Sequence, residues 1–373
     1  MKNRHPGIKA PSHPPRFQRI VHRASDAFLF LFFSIVSCLP QVAYADSNMG
    51  ERSDCLFLPG PITIPNQHPV ALRHLSFEPE IADPLPQGCV SLNVENSLSN
   101  TVNREEGSFL IDAESREVRL NMNYGFQEGL ELRASQALLW EGPGFTDHSI
   151  DEWHKFFGFP RGPRRRLKKD QFIIFGNNND GSSFEQEEQG THFGDLDISL
   201  KHLVFSPSEN PLRASLRFTV RLPTGEKAYG QQSVDTEIAA LAEYSLERVH
   251  FHGGFALTHL FDPESDGLQY ADNVFAGFVG VSFLINNQLN LYFGLNPAST
   301  FLSGVEQFPE YQLYFDTALA YQFTKQLQGN FLIRENPSPE DSTTDITLSL
   351  GLTYRFTVGL TSRNVETPNS SKQ

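Results

Sequence analysis

From Cys89 onward, apolar and polar residues alternate in short runs, the period-two pattern of strands whose two faces meet different surroundings. The pattern is clearest in Leu212-Ala214-Leu216-Phe218-Val220-Leu222, whose opposite face carries Arg213, Arg217 and Arg221. It recurs in Val118–Phe126 and in Leu313–Phe323. Twelve strands are predicted: Cys89–Leu98, Glu117–Phe126, Leu130–Trp140, Asp195–Phe205, Leu212–Leu222, Val234–Leu246, Val249–Leu260, Val274–Ile285, Leu289–Asn296, Gln312–Phe323, Leu327–Arg334 and Asp345–Phe356. The last is the most regular. Ile346, Leu348, Leu350, Leu352, Tyr354 and Phe356 share one face, and Thr347, Ser349, Gly351, Thr353 and Arg355 share the other.

The links alternate as strictly as the side chains. Short turns at 127–129, 206–211, 286–288 and 324–326, and a near-direct join between Leu246 and Val249, alternate with long links. Those are Ser99–Arg116, Glu141–Gly194, Pro223–Ser233, Phe261–Asn273, Pro297–Tyr311 and Glu335–Thr344. Short periplasmic turns and long extracellular loops are the signature of a transmembrane antiparallel β-barrel, so the expected fold is an all-β barrel of about twelve strands over residues 88–356. A soluble β-sandwich would show neither this alternation nor the regular last strand.

Composition agrees. Hydrophobic residues make up only 39% of the 373, and beyond the N-terminus no apolar run reaches helix-spanning length, whereas a barrel strand needs an apolar residue only at every second position. Residues 1–45 read as a signal peptide: a basic start (Lys2, Arg4, Lys9, Arg16, Arg19, Arg23), an apolar stretch Ala27–Leu39 and the small-x-small site Ala43-Tyr44-Ala45. Ile35-Val36-Ser37-Cys38 offers the alternative of lipidation at Cys38. Either route implies export, and the expected location is the bacterial outer membrane. Without those 45 residues the chain has 24 basic and 43 acidic residues, which argues against a nucleic-acid partner.

Residues 46–87 hold seven prolines and no sustained alternation, which predicts an extended periplasmic or plug segment. Cys55 and Cys89 are the cysteines left after cleavage; in an oxidising compartment they either pair or remain free thiols, and pairing is the expectation. Residues 357–373 form a polar tail.

The polar strand faces supply candidate lumen residues: Arg119, Arg133, Lys201, Arg213, Arg217 and Arg221, with Glu95, Glu117, Glu131, Asp195, Asp197, Asp235 and Glu237. They serve either as a cross-strand network filling a narrow barrel or as a selectivity filter. In the longest loop, Ser149-x-x-Glu152 matches a capping box, and Ile150, Trp153, Phe156 and Phe157 share a face of the short helix it would start. The basic run Arg161, Arg164, Arg165, Arg166, Lys168 and Lys169 follows. The helix is a candidate lid, and the basic run a candidate contact for lipopolysaccharide phosphates or other lipid head groups.

Chemistry-bearing motifs are sparse. There is no Gly-x-Ser-x-Gly or His-Glu-x-x-His spacing, and Asp262-x-Glu264-x-Asp266-Gly267 lacks the closing glutamate of a calcium loop, Asn273 standing in its place. No metal, cofactor or catalytic residue is expected, and a non-enzyme is the first reading. A passive channel for small apolar or anionic solutes is preferred, with a lipid-modifying enzyme or a purely structural barrel as alternatives.

Two resemblances add to this. Ser349-x-Gly351-x-x-Tyr354-x-Phe356 resembles the signal by which the bacterial barrel-assembly machinery recognises a last strand, which implies roles for Gly351, Tyr354 and Phe356 and that machinery as a partner. Gly60-Pro61-Ile62-Thr63-Ile64-Pro65-Asn66-Gln67-His68-Pro69, Ile150–Pro160, Phe193-Gly194-Asp195-Leu196 and Arg221-Leu222-Pro223-Thr224-Gly225 resemble a proteobacterial outer-membrane family, domain of unknown function 3187. Parts are also similar to barrels thought to take up phenolic or other apolar compounds. These likenesses imply location and architecture.

Overall fold

The computed structural model describes residues 55–158, 163–187, 189–207, 211–226, 233–261, 264–265, 267–336 and 343–358. Residues 1–54, which include the expected signal peptide and Cys38, and the tail beyond residue 358 lie outside them. Twelve long strands close into an antiparallel barrel. In chain order they begin with β1 (Cys89–Glu105), β2 (Phe109–Gln127) and β3 (Leu130–Gly142). Two short strands, β4 (Ile173–Asn177) and β5 (Ser183–Gln186), precede β6 (Gly190–Phe205), β7 (Leu212–Leu222), β8 (Asp235–Ser245) and β9 (Val249–Leu260). A minor hairpin, β10 (Glu264–Ser265) and β11 (Leu268–Gln269), leads to β12 (Asn273–Leu284), β13 (Leu289–Ser299), β14 (Tyr311–Gln322), β15 (Leu327–Glu335) and β16 (Ile346–Thr357). Each barrel strand pairs with its predecessor and successor, and β16 closes on β1 from Cys89↔Thr357 to Asn100↔Ile346.

Local chemistry sets the turns. Gly129 takes φ 72° in the β2–β3 turn, a conformation open to glycine. Asn286 Oδ1 accepts the N–H groups of Gln288 and Leu289, and Thr324 Oγ1 those of Gln326 and Leu327, so side chains complete the turns that four residues leave open. The β2–β3, β8–β9, β12–β13 and β14–β15 turns lie at the end where β1 starts and β16 finishes, here the turn end; the opposite end is the loop end.

The outer wall is apolar and exposed. Phe255, Val279 and Leu350 keep 69%, 62% and 60% of their surface open, and Phe218 and Ile238 behave alike. A soluble protein would hide such a belt; a barrel turns it to hydrocarbon.

Two sequence expectations are corrected. The link predicted over Ser99–Arg116 is mostly strand, and β1 and β2 are joined by residues 106–108 alone. At the loop end both faces of these strands are covered, so Ser99 to Asn103 are all buried and the period-two signal vanishes. The helix α1 (Asp147–Phe157) starts one turn earlier than the capping box suggests. Its N-cap is Thr146, whose backbone N–H and hydroxyl are taken by Glu114 Oε2 at 3.1 and 2.7 Å. Ser149 and Glu152 therefore lie within the helix. Gly158 ends it, with φ 75° and a backbone bond to His154 O.

The lumen is not empty. Residues 55–88 enter at the turn end, rise to the loop end and return as a hairpin without regular structure, and a disulfide between Cys55 and Cys89 (Cα–Cα 5.6 Å) closes its base. The limbs touch each other: Thr63 Oγ1 donates to Pro79 O at 3.1 Å, and Ser76 Oγ accepts from Asn66 N at 3.1 Å. Gly60 packs so closely on Ile81 that any Cβ there would overlap its Cγ2 methyl. At the loop end the tip residues Val70 and Ala71 join an apolar core with Phe109, Ile111, Ile174, Phe184, Tyr270, Phe301 and Phe308, built from folded-in loops.

Candidate functional site: the lumen and its inner hairpin

The inward charges cluster on half of the barrel, from β2 to β8, and meet the returning limb of the hairpin, residues 75–88. Glu80, which belongs to that limb, accepts from Lys201 Nζ (2.9 Å) and Arg217 Nη1 (2.6 Å). Glu78 pairs with Arg133, and Asp83 takes Arg213 at 2.7 Å. Backbone groups of the limb use the remaining carboxylates: Leu75 N donates to Asp235 (3.0 Å) and Leu85 N to Glu131 (2.7 Å).

Other pairs stay within the wall. Arg119 forks onto Glu117 (2.6 and 3.1 Å) and lies 3.5 Å from Asp197. Arg221 forks onto Asp197 (2.7 and 2.8 Å), Arg217 also donates to Glu237 (2.8 Å), and Asp195 accepts from Gly225 N (2.7 Å). Every predicted cation of this group thus has at least one carboxylate partner. Sequence reasoning found the wall partners from strand alternation. It missed Glu78, Glu80 and Asp83, because nothing in a proline-rich coil says which wall it lies against.

The rising limb, residues 56–65, is different in kind. It carries no charge and lies along β12 to β16. Arg355 Nη1 donates to Leu56 O at 2.5 Å and its guanidinium covers the Phe57 ring at 4.5 Å. Ser282 Oγ donates to Gly60 O (3.2 Å) and Arg334 Nη1 to Pro65 O (3.1 Å). Ile62 and Ile64 pack on Tyr292, Ala318 and Leu332. This wall's other inward charge, Asp316, is neutralised by Arg334 through a fork at 2.7 and 2.8 Å.

At the tip, His68 Nε2 lies 2.7 Å from Asn103 Oδ1 and its ring is 5.0 Å from that of Phe301. Burial pushes this imidazole down to about 4, against a raising contribution from Asn103, so it is neutral at physiological pH.

Spaces remain around the hairpin. A polar cavity of about 210 Å³ lies between the two limbs, the wall of β1 to β3 and the inner face of β13 to β16, where Asn290, Gln328, Asn330 and Arg355 line it. A wider one of about 800 Å³ opens at the turn end beside the disulfide. A smaller one of about 60 Å³, with apolar lining from Leu75, Phe77, Val274 and Phe301, lies behind β12 and β13. There the ladder is interrupted between Ala276↔Ala298 and Val279↔Leu295, where Pro297 has no N–H to give.

The long loop lies elsewhere. Asn100, Asp112 and Glu114 belong to the face of β1 and β2 opposite Phe109 and Ile111, and α1 with its following turn packs there. Arg164 is buried and paired with Asp147 and Asp345, and its Nη2 donates to Asn100 Oδ1 at 2.5 Å. It therefore anchors the loop, whereas Arg166, Lys168 and Lys169 are exposed. Trp153 Nε1 donates to Glu335 at 3.0 Å, while Phe156 is 79% exposed. Phe157, Arg161 and Arg165 fall outside the described side chains, as do Asp262 and Asp266 of the calcium-like turn. None of the three cavities is lined by α1.

Two Ser–His contacts occur at the turn end of the lumen. Ser282 Oγ is 3.2 Å from His252 Nε2, and Ser245 Oγ is 2.9 Å from His250 Nδ1. Ser282 is fully buried beneath the hairpin. Among the described residues no group of His, Cys, Asp and Glu is placed to hold a metal ion.

In β16, Gly351 faces Glu95 and Asn330, and a Cβ there would overlap Asn330 Oδ1 and Glu95 Oε2. Tyr354 and Phe356 meet at 5.9 Å with their rings tilted by 35° near the turn end, and Phe356 packs against the Val90–Leu92 cluster of the first strand.

The architecture is similar to solved outer-membrane channels. The COG4313 outer membrane channel from Pseudomonas putida F1 aligns over 75% of this chain and 100% of its own, with TM-score 0.53 and 13% identity. The KdgM porin (71% and 99%, TM-score 0.39, 8% identity) and the P. putida toluene transporter TodX (74% and 93%, TM-score 0.36, 11% identity) are more distant. Comparison with curated proteins finds no match. A family profile described as "Protein of unknown function (DUF3187)" matches residues 39–356, most of the barrel and all of the inner hairpin, and the chain belongs to that family.

Proposed function

We propose that this protein is a passive outer-membrane channel for small solutes, with residues 55–88 as its resident plug and the loop end facing outward. The observation that carries the reading is the disulfide-closed hairpin lying in the lumen of a closed barrel, with cavities along its flanks. A barrel stabilised only by its own side chains needs no second chain segment inside it; a pore whose passage is regulated does. The apolar belt supports membrane insertion, and the exposed Arg166, Lys168 and Lys169 suit contacts with lipopolysaccharide phosphates.

The enzyme alternative gains little. Its nucleophile candidate, Ser282, lies under Gly60 with its hydroxyl committed to a backbone oxygen, away from the rim where membrane lipid would arrive. Purified protein in planar bilayers and in solute-loaded liposomes decides the matter. Stepwise ionic conductance and solute-driven swelling are expected; folded protein that shows neither, even with the hairpin removed, would refute the channel reading.

A further inference from the structure

The lumen has two chemically different halves, and each limb of the hairpin lies on the half that matches it. On β2 to β8 the wall is charged, and the returning limb answers with Glu78, Glu80 and Asp83 in ion pairs. On β12 to β16 the wall is polar but uncharged apart from the self-neutralised Asp316–Arg334 pair and Arg355 at the turn end. The rising limb answers with Leu, Phe, Ile, Thr, Gly and Pro.

The two limbs are therefore held by unequal forces. Removing the returning limb would take a carboxylate from Arg133, Lys201 and Arg217, which lie inside the wall, and from the more exposed Arg213, and a low-dielectric interior penalises such a loss severely. Removing residues 56–65 breaks no ion pair; it takes the Leu56 carbonyl and the Phe57 ring from Arg355, and otherwise costs the contacts of Ile62 and Ile64 and a few bonds to backbone carbonyls, which water can replace. At the turn end the rising limb has one covalent tie to the wall, the bond from Cys55 to Cys89.

We infer that residues 56–65 are the gate, that the permeation path opens between the returning limb and β12 to β16, and that it takes uncharged solutes, with the Cys55–Cys89 disulfide setting how far the gate moves. This inference rests on the channel reading and adds its path, its selectivity and its moving part. An open path there is walled by Asn290, Tyr292, Gln312, Ala318, Gln328 and Asn330, which offer hydrogen bonds and aromatic surface; Glu95, bonded to Asn330 at 3.3 Å, and Arg355 at the turn end add charge of opposite sign but no row of it. The cations of the opposite half stay matched, so they form no track for anions. The class implied is small neutral molecules, polar or aromatic.

The test uses the whole protein reconstituted from detergent, with dithiothreitol as one lever and Cys55→Ser with Cys89→Ser as an independent one. Glycerol-driven liposome swelling should rise about tenfold in either case, as expected when a mostly closed gate becomes mostly open. The potassium-to-chloride permeability ratio should stay within about twofold of unity, since the fixed charges beside the path, Glu95 and Arg355, are opposite in sign and form no row. Ile62→Asp, which places an unmatched charge against Tyr292 and Leu332, should open the pore with the disulfide intact. Strong ion selectivity in the opened state would place the path along the charged half and overturn the inference. So would unchanged swelling in all three conditions while deletion of residues 56–65 conducts, a result that leaves the channel reading standing. If that deletion variant is folded by heat-modifiable mobility and conducts nothing, the channel reading itself fails.

Discussion

Glu80 and Arg217 meet at 2.6 Å inside the barrel, and this one contact joins a proline-rich coil to the wall it fills. Arg217 also holds Glu237, Glu80 also holds Lys201, and Lys201 lies 3.5 Å from Glu131, so five charges share one desolvated network. Replacing Glu80 by Gln leaves Lys201 to Glu131 and Arg217 to Glu237, and removes the limb's ionic tie to both cations. Loss of one member of such a buried set costs on the order of 3 kcal/mol. The returning limb should then lose amide-exchange protection over residues 75–85 while barrel strands keep theirs. Equal protection in the variant would show that the limb is held by packing alone.

Arg164 supports a second prediction. It sits among Asp147, Asp345 and Asn100, with Asp112 nearby, at the base of the long loop. Arg164→Met removes the cation and leaves buried carboxylates facing one another, so the loop should detach from β1 and β2 at a cost of roughly 3 kcal/mol. Protease cleavage between residues 143 and 172 should accelerate without loss of the heat-modifiable barrel. Arg166→Met, whose side chain is exposed, serves as the comparison and should change neither.

His68 gives the docking of the hairpin tip a pH dependence. Its folded pKa, about 4, lies below the value of 6.5 for a free imidazole. Between these values the undocked tip binds a proton that the docked tip refuses, so docking is fully stable above pH 6.5 and weakens as pH falls toward 4. The full effect is on the order of 3 kcal/mol. Exchange of amides in residues 66–74, measured from pH 7 to 4 in the native protein and in His68→Asn, isolates it. An equal pH response in both would assign the effect to neighbouring carboxylates.

Phe356 closes the seam between last and first strands by packing on Val90 and Leu92. Phe356→Ala should reduce folded protein in the outer membrane, both through the lost packing of this half-buried ring, about 1.5 kcal/mol, and through the strand-recognition role its motif resembles. Refolding of the variant into detergent separates the two. Normal refolding with poor assembly in cells points to recognition, and normal levels in both dismiss that role.

What the sequence determined by itself was the wall. Side-chain alternation is a local property of a strand, and the contrast between Leu348, Leu350, Leu352 and Thr347, Ser349, Thr353 states which face meets apolar surroundings without reference to any partner. It was lost where tertiary contacts cover both faces, as along Ser99 to Asn103. The start of α1 was also misplaced, because Glu114, more than thirty residues away, holds Thr146 in the capping position.

Only the tertiary structure decided what fills the barrel. Prolines at 59, 61, 65, 79, 84 and 86 remove backbone donors and forbid a regular ladder, so the hairpin's path is set by distant side chains such as Arg334 on Pro65 O and Lys201 on Glu80. A coil carries no periodicity that could announce those partners. Which limb meets the charged half, and which the neutral one, is fixed by three-dimensional complementarity of charge. That relation joins residues more than a hundred positions apart, and no window along the chain contains it.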